Sequence, residues 1–183
     1  MTFSPGYVEP VPPMISPWTP GWGTMQNTVG NSPSSGSSTT NIGVWYPLYV
    51  PTVCVAKRVW WANGSSVSGT YNLESGIYRD GGHKPGAKLI TSGSVAQGTA
   101  SQVQFADITD TTLTPGLYWF YLSSSTGSAT LMRVAPNIGS TFDEILGFQQ
   151  ASIGPGSAPE TATPIEFADA TVYIFGFSTT TIT

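Results

Sequence analysis

Thr114-Pro-Gly-Leu-Tyr-Trp-Phe-Tyr-Leu-Ser123 is the stretch that decides the fold class. It opens on a Pro-Gly corner, in which Pro pre-sets one backbone angle and Gly supplies a positive one. The corner leads into a run of aromatic residues with no helical spacing, the composition of a strand. Successive strand side chains point to opposite faces, so Tyr118-Trp119-Phe120-Tyr121 carries large rings on both sides. A strand with one wet face would alternate apolar and polar residues, so this one is expected to be covered twice. Trp60-Trp61 and Val172-Tyr-Ile-Phe175 carry the same signature. Their second cover is a loop, an arm of the chain or another subunit, and three such strands in one small domain favour an oligomer.

The same grammar extends in both directions. Strands are expected at Ile42–Tyr46, Thr52–Ala62, Thr70–Arg79, Lys88–Thr91, Ser101–Asp107, Gly116–Ser123, Ser128–Ala135 and Ala170–Phe177. Turn clusters separate them: Asn63-Gly64, Asp80-Gly81-Gly82, Lys84-Pro85-Gly86 and Gly154-Pro155-Gly156. Short strands at this spacing predict an all-β domain, an antiparallel β-sandwich of jelly-roll type, over residues 41–183. One short helical turn is expected at Phe142–Gln149.

Residues 1–40 read differently. Pro stands at 5, 10, 12, 13, 17, 20 and 33, and Asn31–Thr40 is of low complexity. Such a density of Pro blocks helices and central strands and favours extended backbone, which over ~40 residues reaches on the order of 130 Å. One reading is a solvated tail. The other is an anchoring arm, because Tyr7, Met14, Ile15, Trp18 and Trp22 are large apolar groups that gain roughly 1.5–3 kcal/mol each when buried on a second surface. With Trp60 and Trp61, these are the candidate partner-binding residues.

Composition narrows the function classes. Charged residues make up 9% of the 183, against roughly 25% in an ordinary soluble domain. A chain with so little charge suits a place in an assembly better than a free existence. The net charge is −4 and the only basic pair is Lys57-Arg58. That leaves no basic footprint for nucleic acid or for an acidic membrane surface. No apolar run approaches the ~18 residues of a membrane span, and no basic-then-apolar N-terminal signal peptide is read.

Chemistry is scarce. His83 is the single histidine and Cys54 the single cysteine, too few for a zinc site, and no nucleophile-elbow motif accompanies them. Asp107 and Asp110 read as turn formers, and adjacent Asp143 and Glu144 do not naturally face one cleft, so a glycosidase-type carboxylate pair is a remote alternative. No phosphate-binding loop or EF-hand calcium loop is present. Asn63-Gly64-Ser65 matches a glycosylation acceptor but reads first as a hairpin turn. Cys54 reads as an inert thiol within a strand. No catalytic, cofactor or metal residue is assigned. Trp60, Trp61, Tyr46 and Tyr49 are candidates for a carbohydrate-stacking platform, with core or interface packing the competing reading.

Tyr49-Val-Pro51, Glu74-Ser-Gly-Ile-Tyr78-Arg-Asp80, Lys84-Pro-Gly86-Ala-Lys-Leu-Ile90 and Leu113-Thr-Pro-Gly-Leu-Tyr-Trp119 occur in that order along the chain. Together they resemble a β-sandwich module of tailed-bacteriophage virion surface proteins, of fibre or decoration type. The resemblance spans roughly residues 45–123. It has no counterpart for the arm or for 139–163, and it carries over no catalytic residue. It implies a non-enzymatic virion component, a capsid decoration, fibre or tail protein, partnered by other virion proteins and by copies of itself. The alternative on the same fold is a receptor-binding module for a host surface glycan.

Overall fold

The computed structural model describes residues 21–23, 34–67, 70–134, 147–166 and 172–179, and among them there are strands and no helix. Every ladder between strands is antiparallel. In chain order the strands are β1 (Gly21–Gly23), β2 (Ser34–Ser37), β3 (Ile42–Val50), β4 (Cys54–Ala62) and β5 (Asn72–Asp80). Next come β6 (Pro85–Thr91), β7 (Val95–Ala96), β8 (Val103–Leu113), β9 (Gly116–Ser124) and β10 (Thr130–Val134). The last are β11 (Phe148–Ala151), β12 (Ile165–Glu166), β13 (Val172–Tyr173) and β14 (Phe175–Ser178).

Three sheets result. The largest runs β12-β11-β3-β9-β5-β6, with β7 also on β5. A four-stranded sheet runs β1-β14-β4-β8, and a three-stranded one β13-β10-β2. The first two are packed face to face as a sandwich. From the larger sheet the core receives Val44, Tyr46, Leu48, Val50, Leu73, Ile77, Tyr118, Phe120 and Leu122. The four-stranded sheet answers with Ala56, Val59, Trp61, Ala106, Leu113, Phe175 and Phe177. Leu131 of β10 and Tyr173 of β13 extend this core into the third sheet. Aromatic rings bridge the layers: Phe120 lies 5.7 Å from Phe175 and 5.6 Å from Phe177, and Tyr46 lies 5.8 Å from Phe175. These tilted and edge-on pairs add to the area they bury.

Seven of the expected strands are present with shifted ends, the strand expected at Ala170–Phe177 is divided into β13 and β14 in two different sheets, and four further local readings are corrected. Asn63-Gly64 is no hairpin turn. Asn63 is 1% exposed, and its side-chain amide donates to the Thr99 carbonyl and to Gln104 Oε1 while its oxygen accepts from Gln97. A buried amide needs such partners, and here they hold the end of β4 where the chain leaves for the opposite sheet. Asp107 and Asp110 lie within β8 rather than in a turn. Between Ala56–Thr111 and Arg58–Asp107 the register shifts, so one residue of β4 faces three of β8 in a bulge. Phe148, read as part of a helical turn, begins β11 opposite Trp45; residues 142–146 lie outside the described set. Finally, sheet structure reaches back into residues 1–40: β2 pairs with β10, and β1 pairs with β14.

Candidate assembly surfaces

The outer face of the large sheet is built by the residues that alternate with its core positions. Trp45, Tyr78, Trp119 and Tyr121 form a second buried cluster there, with Ile153 and Ala162 over it and Phe148 and Ala158 alongside. Trp45 meets Tyr78 edge-on at 5.6 Å and Tyr121 at 5.1 Å, and Trp119 meets Phe148 edge-on at 5.1 Å. Gly43 is required by this crowding, because a Cβ there would sit 2.8 Å from the Tyr121 ring.

The cover is the chain's own segment 152–164. Tyr78 Oη donates to the Pro159 carbonyl at 2.8 Å, and the Gly156 amide donates to Glu74 Oε2 at 2.8 Å. The same segment closes the outer edge of β6. Lys88 N–H donates to the Glu160 carbonyl at 2.8 Å and Ala162 N–H to the Gly86 carbonyl at 2.9 Å. Lys88 Nζ also reaches Glu160 Oε1 at 2.5 Å. Beneath this strap, burial pushes the Tyr78 hydroxyl well above the ordinary tyrosine range, and the Tyr121 and Glu74 charges add to the effect. Tyr121 is raised for the same first reason.

The outer face of the four-stranded sheet has no such strap among the described residues. Trp61 points into the core and is 0% exposed, so its neighbour Trp60 faces outward. Trp60 is paired in register with Phe105, both half-buried, and its indole N–H donates to the Phe177 carbonyl at 3.2 Å. Val103, two residues from Phe105 on the same face, is 50% exposed. Along the strand this apolar row gives way to charge: Arg58 Nε lies 2.5 Å from Asp107 Oδ1, and Lys57 Nζ lies 3.4 Å from Asp110 Oδ2. Asp107 and Asp110, the aspartates considered for a carboxylate pair, are therefore each in an ion pair on this sheet.

The four aromatic residues considered as a sugar platform are not brought together. Tyr46 and Trp61 are core residues. Tyr49 is 52% exposed on the outer face of the large sheet, whereas Trp60 faces out from the other sheet. Of the candidate arm residues, Tyr7, Met14, Ile15 and Trp18 lie outside the described set. Trp22 lies in β1, where its backbone is in register with Phe177, between Gly21–Ser178 and Gly23–Gly176.

Other sequence candidates fall in ordinary structural places. His83 sits at a positive φ of 63° in the β5–β6 turn, where Gly81 N–H donates to the Lys84 carbonyl. Asp80 organises that turn: Oδ2 accepts from the Gly82 and His83 amides, and Oδ1 accepts from the Trp119 indole at 2.9 Å. Burial works to raise its carboxyl, but the Trp119 bond and the two amides outweigh it and hold Asp80 below the usual carboxylate range. Cys54 is half-buried, and burial pushes its thiol up. Among the described residues no group of three His, Cys, Asp or Glu is placed to hold a metal ion. A pocket lined in part by Ser38, Ile42, Leu122, Leu131 and Tyr173 has a volume of about 20 Å³, space for a water molecule rather than a substrate. Sequence reasoning allowed a loop as the second cover but did not identify this segment, whose apolar signal was only Ile153, Ala158 and Ala162. Comparison with protein-family models and with curated proteins finds no match to this chain.

Proposed function

We propose that this chain is a non-enzymatic structural component of a bacteriophage virion, a capsid decoration, fibre or tail protein that assembles with copies of itself and with other virion proteins. The observation that carries the reading is the pairing of Gly21–Gly23 with β14. It ties Gly21–Gly23, the segment that follows Tyr7, Met14, Ile15 and Trp18 in the sequence, to the sandwich. Sparse charge, the row of half-buried Trp60 and Phe105 beside exposed Val103, and the resemblance over residues 45–123 support the same reading. Host-glycan recognition has less behind it, since the aromatic platform it needs is divided between two faces.

The test is composition of purified particles from the virus that encodes the chain. The full-length protein is expected in them at a fixed copy number. A version lacking residues 1–20, which keeps β1 and β2, is expected to melt like the full chain but to be missing from particles. Particles without the full-length protein would refute the virion reading; normal incorporation of the truncated chain would refute the role of the arm.

A further inference from the structure

The two flanks of the four-stranded sheet are guarded in different ways. On β8 the exposed Asp107, Thr109, Asp110 and Thr112 and the bulge at 108–110 blunt the edge, which are the usual devices against pairing with another chain. The edge of β14 has none of them. Its sequence is Phe-Gly-Phe-Ser, without charge or Pro, all four residues are buried, and its register with β4 is unbroken. The cover on that edge is β1, the three residues Gly21-Trp22-Gly23.

This cover is weakly committed to its own chain. Gly is a poor strand former and contributes no side chain to packing, and two of the three residues are Gly. Pro20 precedes β1, and residues 24–33 separate it from Ser34 of β2. Ten residues span at most about 33–36 Å, which bounds how far from its own β2 a donated β1 can pair. The ladder formed is identical in either case, so the choice between own and neighbouring edge is set by the local concentration of the neighbour.

We infer that the outer edge of Phe175–Ser178 is a strand-acceptor site, and that in the assembled protein it takes Gly21–Gly23 from a neighbouring copy of this chain. The inference rests on the proposed self-assembly and specifies its joint. Gly21 and Ser178 are register partners, so cysteines at the two positions report which chain donates. In the full-length chain with Cys54→Ser, Gly21→Cys and Ser178→Cys are made separately, refolded together and oxidised. A disulfide joining one chain of each kind is expected, and the double variant should give chain-to-chain links in its oligomeric fraction. If light scattering finds an oligomer whose double variant closes only within single chains, strand exchange is refuted and assembly stands. A chain monomeric at every concentration refutes both. Hydrogen exchange on the unmodified protein is the second readout: protection of Phe175–Ser178 amides should rise with protein concentration, and concentration-independent protection in an oligomer overturns the exchange.

Discussion

The two outer faces of the sandwich began from similar sequence and ended differently. Trp119 and Tyr121 on one side, and Trp60 and Phe105 on the other, are the off-core members of aromatic strands. The first pair lies beneath the strap 152–164, pinned by Glu74, Tyr78 and Lys88. The second stands beside an exposed Val103 with no strap among the described residues. A strand apolar on both faces therefore announces that a second cover is needed, not who supplies it. The large sheet is covered in cis; the outer face of the four-stranded sheet has no such cover among the described residues.

The largest effect should come from breaking the covered face. Trp45 is fully buried, so Trp45→Ala is expected to cost about 3–5 kcal/mol in urea unfolding. Trp60→Ala, on the half-buried face, should cost the isolated chain roughly 1–2 kcal/mol, and equal losses at the two sites would erase the distinction. Next, Gly43→Ala drives a methyl into Tyr121 and Trp45 and should cost about 1–3 kcal/mol. Tyr78→Phe removes the bond to Pro159 and should cost about 1 kcal/mol, with faster proteolysis confined to residues 152–164. The smallest effect tests the turn at the rim of that face. Asp80 is held below the usual carboxylate range, so its contribution is present above a pH of about 3.9 and is lost as pH falls through the lower folded value. Asp80→Ala should lower stability at pH 7 by a few tenths of a kcal/mol, since the carboxyl is largely exposed. The deficit relative to wild type should vanish near pH 2, and an unchanged deficit there would assign the effect to packing.

The strands were legible because β-branched and aromatic runs between Gly and Pro corners leave few alternatives. Their pairing was less legible. Asn63-Gly64 has the composition of a hairpin turn, yet Gln97, Gln104 and Thr99 converge on Asn63 from other parts of the chain and bury it. Asp107 and Asp110 look like turn residues until Arg58 and Lys57 are brought opposite them by the β4–β8 ladder. Ser34–Ser37 has almost no strand preference of its own and is a strand because Thr130–Arg133 lies beside it. In each case the deciding partner is remote in sequence, and local propensity holds no record of it. The candidate assembly surfaces were legible only as residue types: Trp60 and Trp61 are adjacent, and the pleat alone sends one to the core and the other outward.

The ladder between β1 and β14 also sets a timetable. It joins residues near the two ends of the chain, and contacts of such long range form late because the intervening loop must close first. During synthesis, Gly21–Gly23 emerges long before Phe175–Ser178 exists to receive it. Each newly made chain therefore holds Gly21–Gly23 for the whole time that residues 24–174 are being made, before its acceptor exists. Under the strand exchange inferred above, this late seam is also the joint between copies, so the order of folding and the order of assembly would become the same event.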